Sequence, residues 1–312
     1  MNKILILGYS SICIRRVIPA LNKMEEIESI EIASKSKSID NLNKLKNVYN
    51  SYEEALEKSD AAIVYISLPN SFHYEYCKKS ILSEKNVIVD KPGVLNNSEL
   101  ENLIALIKNK NLFLSQSCVF EFHKAWKIFK EYSKKYENGI LSSTFLIPKL
   151  DKDNFRMSKN LGGGSINDMG IYASQSGRSF WGRNAKGFSI VDETIDGDKV
   201  NTGFTGKANY GEGKEAIFKF GFNKEYQNNI TFKNNEFSIS YERAFSPTAD
   251  LNTHLIIKNS ESSDKIESGT DDTFTNYLKD IYDKYDKNEI DIINKEFKNS
   301  ANEFLNLKKE LN

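Results

Sequence analysis

Short apolar runs alternate with amphipathic helical patterns along the first 119 residues of the chain. The apolar runs that we interpret as strands occupy 4–7, 30–33, 61–67, 86–90 and 112–119. The helical patterns between them occupy 12–21, a stretch that Ser51 and Glu54 begin, 72–83 and 99–108. Regular alternation of this kind predicts an α/β domain with a doubly wound parallel sheet and helices on both faces.

The pattern changes at Phe120, after which helices and alternating strands follow in irregular order. The predicted elements are a helix over 123–136, a strand over 143–148, a helix after the glycine segment at 161–164, strands over 203–210, 216–222, 229–232 and 237–241, and two closing helical stripes at 274–281 and 297–305. Asn-rich and Gly-rich turns separate the alternating runs, which predicts antiparallel pairing. We therefore expect an α+β domain with a large open, mainly antiparallel sheet.

The predicted domains are 1–119 for nucleotide binding and 120–312 for substrate binding and oligomerisation, with the C-terminal helix packing back on the first domain. Two domains are the usual solution at 312 residues. The helix after the glycine segment is expected to cover one face of the second sheet. The other face is a candidate subunit interface, so we expect a homodimer or homotetramer.

Charge is balanced, with 43 basic and 43 acidic residues, so nothing marks the chain for nucleic acid or an anionic membrane. A small-molecule partner is expected instead. Three widely spaced cysteines fit a reduced compartment, and the histidines have no metal-ligand spacing, so we expect no metal site. The first apolar run is too short for a signal peptide or a membrane span, and a cytoplasmic location is expected.

Four loops lie at the predicted carboxyl ends of the strands, where ligands of such sheets bind. The first begins with Gly8 and places Ser10 and Cys13 where a dinucleotide fingerprint has further glycines. The second, ASKSK, lacks the acid that holds the ribose hydroxyls of NAD. Ser34, Lys35 and Lys37 suit the 2′-phosphate of NADP, which we therefore favour over NAD. The alternative is that these lysines form a solvated turn.

Lys91 lies between a buried strand and a Pro-Gly turn, which holds its side chain at the strand end. It is therefore a candidate functional residue, although most lysines simply face solvent. In the second half, GGG runs into a helix that Ser165 is expected to begin, with Asp168 in the capping-box position and Tyr172 one turn later. Triple glycine suits close approach to a ligand or a neighbouring domain. A capping acid and an interfacial tyrosine explain Asp168 and Tyr172 as well as catalysis does.

Several motifs resemble those of the Gfo/Idh/MocA oxidoreductases, which have a Rossmann domain followed by a substrate domain on an open antiparallel sheet. DKP at 90–92 is similar to the family's EKP, SLPNSFH at 67–73 to its nicotinamide-side loop, and GGGSINDMGIY at 162–172 to its second catalytic motif. GYSSICIRRVIPAL at 8–21 and NFR at 154–156 resemble the nucleotide-sugar 3-ketoreductases and dihydrodiol dehydrogenases. Asp90 replaces the usual glutamate, and Gly93, in place of a larger residue, is expected to loosen the turn.

The resemblance implies that Lys91 and Tyr172 are the catalytic pair, with Asp168 beside them. The residues implied in cofactor binding are Gly8, Ser10, Ser11, Ile12, Ser34, Lys35, Lys37, Leu68, Pro69, Asn70, His73, Asp90 and Lys91. We expect Tyr172 to relay a proton, Lys91 to polarise a carbonyl and tune Tyr172, and Asp168 to orient them. His123 is a substrate-binding candidate or a buried structural histidine, and Arg156 suits a diphosphate.

Three functions remain open. The first is an NADP-dependent reductase of a keto-sugar, nucleotide-linked, in glycan biosynthesis. The second is a dehydrogenase of free sugars, polyols or dihydrodiols. The third is a cofactor-binding scaffold or sensor without activity, which the presence of Lys91, Asp168 and Tyr172 disfavours.

Overall fold

The computed structural model describes residues 2–35, 39, 42–196 and 200–311, which fall into two compact units. The first unit is drawn from 1–117 and 274–301, and the second from 118–273 and 302–312. No helix in the described part of the chain is long and apolar enough to cross a membrane.

The first unit contains a six-stranded sheet in which every strand pair is parallel. Its strands are β1 (Asn2–Leu7), β2 (Ile27–Ala33), β3 (Leu45–Tyr49), β4 (Ile63–Ile66), β5 (Asn86–Val89) and β6 (Leu114–Gln116). The strand order is β3-β2-β1-β4-β5-β6, so the order reverses between β1 and β4. The predicted doubly wound parallel sheet is confirmed, and this reversal is where such sheets bind their ligands.

The helices of this half are α1 (Ile18–Lys23), which follows a π-helical stretch at Cys13–Val17, α2 (Tyr52–Lys58), α3 (Asn70–Leu82) and α4 (Asn97–Lys110). The predicted cap of α2 is present, because the Ser51 hydroxyl accepts the Glu54 N–H. Every residue of β4 and of β5 is buried, as expected of central strands covered on both faces.

Strand β3 was not predicted from the sequence. It lies at the edge of the sheet, and its residues Leu45–Tyr49 are half-buried or exposed. An edge strand of this kind carries no continuous apolar run, so periodicity could not find it.

The second unit is built on an eight-stranded sheet with two long helices. Its elements are α5 (Lys124–Ser133), β7 (Gly139–Leu146), α6 (Ser165–Trp181), β8 (Gly187–Asp196), β9 (Val200–Gly211), β10 (Lys214–Gly221), β11 (Gln227–Lys233), β12 (Phe237–Glu242), β13 (Thr253–Asn259) and β14 (Ser263–Gly269). The order is β14-β13-β12-β11-β7-β10-β9-β8, and every pair is antiparallel except β7 with β10. The predicted open, mainly antiparallel sheet is confirmed.

Helix α6 packs on β7, β9 and β10 and covers one face of this sheet. The opposite face carries exposed Ile140, Ile217 and Ile256 among mostly polar neighbours. Strands β8, β13 and β14 were missed, because β8 and β14 are largely exposed and the exposed Ile256 interrupts the alternation of β13. These positions carry little of the hydrophobic signal that marks a strand.

Two helices close the chain, α7 (Thr273–Asp286) and α8 (Ile290–Lys308). The predicted apolar stripes are buried in both, namely Phe274, Tyr277, Leu278, Ile281, Phe297, Ala301, Phe304 and Leu305. Within the first unit, the Asn294 amide of α8 accepts the Leu114 N–H and donates to the Leu112 carbonyl, each at 2.9 Å. A side chain therefore occupies hydrogen-bonding groups at the free edge of β6.

Glu303, on the last turns of α8, is a fully buried acid inside the second unit. Its Oε1 accepts the Ala185 N–H at 2.7 Å, whereas its Oε2 has no partner among the described atoms. Burial raises the pKa of Glu303 to about 7, against the lowering effects of the Ala185 N–H and of Arg178. The folded protein therefore holds a proton here that the unfolded chain releases at lower pH.

We expect Glu303→Gln to gain stability relative to the wild type as pH rises from about 5 to about 8. The folded-state pKa lies above the unfolded value of 4.5, so the contribution of Glu303 is lost as pH rises through this window. A glutamine does not titrate, and the difference should reach about 2 kcal/mol. Urea unfolding at each pH measures it, with the exposed Glu310→Gln as control. A difference that does not change with pH would contradict the assignment.

Candidate active site

The carboxyl ends of β1 and β4 approach each other closely at Gly8. The Gly8 N–H donates to the Ala33 carbonyl at 2.9 Å, and its φ of 99° is one that L side chains rarely adopt. A Cβ at this position would lie 2.2 Å from the Ser67 carbonyl oxygen. Only glycine fits, so the chain leaves β1 in a tight turn at the point where the strand order reverses.

Asp90, directly after β5, joins the ends of three neighbouring strands. One carboxylate oxygen accepts the Tyr65 hydroxyl at 2.6 Å and the Ser117 hydroxyl at 3.1 Å, and the other accepts the Ser67 hydroxyl at 2.6 Å. Burial, and next the Asp90 charge, raise the pKa of Tyr65, which therefore remains a donor. The Asp90 carboxylate is thus engaged with hydroxyl groups from β4 and from the segments after β4 and β6.

The chain of hydroxyls continues to Ser10, in the loop after β1. The Ser10 and Ser67 hydroxyl oxygens are 2.7 Å apart, and the Ser67 hydrogen is already given to Asp90. Ser10 must therefore donate to Ser67, while its oxygen accepts the Cys13 N–H at 3.1 Å. The hydroxyl of Ser10 is committed inside the protein, and this serine shapes the start of the helix.

His73 connects the loop after β4 with the turn after Lys91. Its Nδ1 lies 2.7 Å from the Pro92 carbonyl oxygen and its Nε2 lies 2.8 Å from the Leu68 carbonyl oxygen. The ring is 1% exposed, and burial lowers its pKa, against the raising effects of these carbonyls and of Asp90. His73 therefore connects two loops at the carboxyl edge of the sheet, the loop after β4 and the turn after Lys91.

Lys91 is half-buried and lies between Asp90 and the Pro92 turn. The turn is fixed on both sides, because His73 contacts the Pro92 carbonyl and the Gly93 N–H donates to Gln116 Oε1 at 2.9 Å. The expectation that Gly93 loosens this turn is wrong, because the buried side-chain amide of Gln116 accepts the Gly93 N–H. The backbone that carries the Lys91 amine is therefore well fixed.

Lys35, in the loop after β2, joins a charged cluster with side chains of α2 and α3 that the sequence did not reveal. Lys35 Nζ lies 3.7 Å from Glu53 Oε2 and 3.5 Å from the Tyr76 hydroxyl. Lys79, then Tyr76 and Lys35 among other contributions, lower the pKa of Glu53 to about 2. Ser34 is buried, and its N–H donates to the Tyr49 carbonyl. The prediction for Lys37 falls outside the described residues.

The remaining predicted cofactor residues belong to the same loops. Ser11 is exposed, Ile12, Leu68 and Pro69 are half-buried, and Asn70, the first residue of α3, is buried. They flank the carboxyl edge of the sheet at the loops after β1 and β4.

In the second unit, the triple glycine folds against the segment that precedes it. A Cβ on Gly163 would lie 2.5 Å from the Arg156 carbonyl oxygen and 2.7 Å from that of Ser158. The Gly163 N–H donates to Ser158 and the Gly164 N–H to Arg156, at 2.9 and 2.8 Å. The close approach that the glycines allow inside this unit is therefore to the chain's own NFR loop.

This folding brings Arg156 to Asp168. Arg156 Nε lies 2.9 Å from Asp168 Oδ2, and the side chains are 32% and 7% exposed. Asn154 caps the turn by accepting the Arg156 N–H at 3.1 Å, and the guanidinium lies 4.6 Å from the centre of the Phe155 ring. A nearly buried carboxylate thus orients a partly exposed guanidinium, an arrangement suited to binding an anion.

Helix α6 begins at Ser165 as expected, but the prediction that Ser165 and Asp168 form a capping box is wrong. The N-cap residue is Gly164, whose carbonyl accepts the Asp168 N–H at 3.0 Å, and no side chain of the helix itself caps it. Ser165 donates instead to the side chain of Asn201, which also accepts the Ile166 N–H. The cap comes from β9, a contact between distant segments that local sequence could not reveal.

Tyr172, one turn after Asp168, is half-buried against an aromatic cluster. Its ring centre lies 5.2 Å from that of Phe245, 5.9 Å from Phe145 and 6.1 Å from Phe120. These buried rings fix the position of the phenol ring.

His123 is fully buried and caps α5, because its Nδ1 accepts the Ala125 N–H at 3.0 Å. Its Nε2 has no partner among the described atoms. Burial lowers the pKa of His123, while Asp271, which accepts the Lys124 N–H, raises it. These contacts match the structural alternative expected for this residue.

A doubly wound parallel sheet with a tight glycine turn at its reversal point is typical of dinucleotide-binding proteins. Residues 2–117 match the model of the oxidoreductase family with an NAD-binding Rossmann fold, Gfo/Idh/MocA. The resemblance seen in the sequence is confirmed for residues 2–117, which carry the Rossmann fold of this oxidoreductase family.

Similar proteins extend over nearly the whole chain. A dTDP-3,4-didehydro-2,6-dideoxy-alpha-D-glucose 3-reductase of Saccharopolyspora spinosa is 25% identical, over 86% of this chain and 82% of its own. A D-xylose 1-dehydrogenase (NADP(+)) of Haloferax volcanii is 27% identical, over 70% and 68%. A solved 3-ketoreductase of Actinomadura kijaniata, in complex with NADP and TDP-benzene, superposes with a TM-score of 0.88 at 21% identity, over 99% and 96%.

We expect Asp90→Ala to lower the free energy of unfolding by about 3 kcal/mol, because three buried or partly buried hydroxyls lose their acceptor. The control is Asp60→Ala, whose carboxylate is 66% exposed and pairs with Lys3 at the surface. That variant should lose less than about 1 kcal/mol. Urea denaturation measures both, and equal losses would contradict the role given to Asp90.

Proposed function

We propose that this protein is an NADP-dependent reductase that acts on the ketone of a nucleotide-linked sugar in glycan biosynthesis. The observation that carries the proposal is the Arg156–Asp168 pair beside Tyr172, in a chain whose other unit has a dinucleotide-binding edge. An arginine held by a nearly buried carboxylate is suited to a diphosphate. The 3-ketoreductases that resemble the chain over most of its length support the same assignment.

We further propose that 1–119 bind the cofactor and that 120–312 bind the substrate. The tight Gly8 turn at the reversal of strand order leaves the backbone bare where a pyrophosphate approaches such sheets. The buried Ser34 and the cationic Lys35 follow β2, where the adenosine ribose is held, and no acid stands in that loop. These residues fit NADP.

When bound, NADPH supplies the hydride that reduces the carbonyl carbon. In this proposal the Lys91 ammonium polarises the carbonyl oxygen and stabilises negative charge as it develops there. The Tyr172 hydroxyl donates the proton that completes the alcohol. Asp90 and His73 act indirectly, because they fix the turn that carries Lys91.

Asp168 has a different part from the one expected for it from the sequence. Its carboxylate accepts from Arg156 Nε, so we assign it to positioning the guanidinium against the substrate's diphosphate. Because Asp168 and Tyr172 lie one turn apart on α6, this contact also sets the substrate's position relative to the phenol.

A dehydrogenase of free sugars is the second candidate, favoured by the similarity to a D-xylose dehydrogenase. Such an enzyme has no use for a cation directed at a diphosphate, which is the role proposed for Arg156. An inactive scaffold is the third candidate, and it has no use for the fixed turn around Lys91.

The location and assembly of the protein belong to the same proposal. None of the three cysteines forms a disulfide and all are buried, which suits a cytoplasmic protein. We propose a homodimer or homotetramer formed through the uncovered face of the second sheet, where Ile140, Ile217 and Ile256 are exposed.

The function is tested by NADPH oxidation with a dTDP-linked 3-keto-sugar and with the same keto-sugar lacking the nucleotide. We expect turnover of the nucleotide-linked compound and at least about a hundredfold loss of kcat/KM without it, the scale of a fixed charge pair with a diphosphate. Equal kcat/KM for the two compounds, or reduction of NADP⁺ by free D-xylose with no NADPH oxidation by either keto-sugar, would favour the second candidate.

Single-turnover rates in Lys91→Met and Tyr172→Phe test the two catalytic assignments. Each variant should lose at least about a hundredfold, the usual scale of general acid catalysis. Matched controls are Lys108→Met and Tyr132→Phe, which alter exposed residues of α4 and α5. Rates like the wild type in both active-site variants would reject the pair.

A further inference from the structure

Lys35 lies two residues beyond the end of β2, where a Rossmann sheet holds the adenosine ribose of its cofactor. Its side chain is half-exposed and loosely held. The amine is 3.7 Å from Glu53 Oε2, 3.5 Å from the Tyr76 hydroxyl and 4.6 Å from the centre of the Tyr52 ring. None of these contacts is a tight ion pair, so Lys35 can turn toward a ligand.

Glu53, by contrast, is held firmly and without the help of Lys35. Its Oε1 accepts from the Lys79 amine at 2.9 Å and from the Tyr76 hydroxyl at 3.0 Å. Tyr76 is itself packed edge-on against Tyr52, with ring centres 5.1 Å apart. The carboxylate therefore keeps its place when Lys35 moves.

The sheet explains why an acid from another segment reaches this position. Strand β3 pairs in parallel with β2, and the Ser34 N–H donates to the Tyr49 carbonyl at the last position of β3. The segments that follow both strands consequently leave the sheet at the same edge. Glu53, in the first turn of α2, is brought beside Lys35 although 18 positions separate them along the chain.

A carboxylate at this place accepts hydrogen bonds from the ribose hydroxyls of NAD, whereas a 2′-phosphate is repelled by it and attracted by a lysine. The cluster thus offers both kinds of recognition at one point. The loop after β2 contains no acid, but the folded protein supplies one from the segment after β3.

We propose that Glu53 is the ribose-recognising carboxylate of this site and that the Lys35–Glu53 pair sets the preference between NADP and NAD. The inference rests on the proposed cofactor site in the first unit. It predicts that NAD is also bound, and that Glu53 limits the preference for NADP which Lys35 provides.

Dissociation constants for NADPH and NADH, measured from the fluorescence of the bound reduced cofactor, test this proposal. Glu53→Gln should shift the ratio of the two constants by about fivefold toward NADPH, the scale of one charge pair at partial exposure. Lys35→Met should shift the ratio by a similar factor toward NADH. Glu75→Gln is the matched control, because Glu75 also pairs with Lys79, at 2.6 Å, and loses the same charge. Its ratio should stay within about twofold of the wild type.

An unchanged ratio in Glu53→Gln, or an equal shift in Glu75→Gln, would overturn the role of Glu53 and leave the cofactor site standing. A shift of Lys35→Met toward NADPH would overturn the pairing of the two residues. If the wild type binds neither cofactor, the proposed function fails as well, so the two failures are distinguishable.

Discussion

The fold of the first unit depends on a single carboxylate, that of Asp90, which accepts hydrogen bonds from three hydroxyl groups. Asp90 receives hydrogen bonds from Tyr65 in β4, from Ser67 after β4 and from Ser117 after β6, and Ser67 passes the chain on to Ser10 after β1. These hydrogen bonds join the ends of the central strands at the carboxyl edge of the sheet. A carboxylate left without these donors would bear a desolvation cost that the hydroxyls now offset.

In the proposed mechanism, the consequence for function lies in the position of Lys91, the next residue along the chain. An ammonium group contributes most to polarising a carbonyl when it is already in place, since no reorganisation is then needed at the moment of reaction. The turn after Lys91 is held by His73 at Pro92 and by Gln116 at Gly93. The same principle operates in the second unit, where the NFR loop and the glycine segment bind each other and orient Arg156 on Asp168.

The predictable part of the fold was the part with strong periodicity. Local or periodic signals predicted the buried central strands, the helix cap at Ser51 and the apolar stripes of α7 and α8. All of these are present in the structure. Edge strands β3, β8 and β14 have exposed positions and gave no such signal. The prediction of the α6 cap failed because the acceptor, Asn201, lies in β9. No local rule identifies a partner 36 positions away.

In the candidate site, too, local sequence predicts the residues in motifs but not their distant partners. Gly8, Asp90, Lys91, Asp168 and Tyr172 stand in motifs, so their positions could be named from the sequence. Their partners could not, since Tyr65 and Ser117 reach Asp90, and Glu53 reaches Lys35, only through strand pairing. Even the acid expected to orient the catalytic pair is instead joined to Arg156, a contact that the backbone bonds of the glycine segment produce.

A crystal structure of the protein with NADPH bound tests the central claim most directly. The account predicts a pyrophosphate at the turn after Gly8, the adenosine ribose beside Lys35, the nicotinamide on the Lys91 side, and the hydroxyl contacts of Asp90 unchanged. A dinucleotide bound away from the carboxyl edge of the parallel sheet, or an Asp90 carboxylate released from its three hydroxyls, would contradict it.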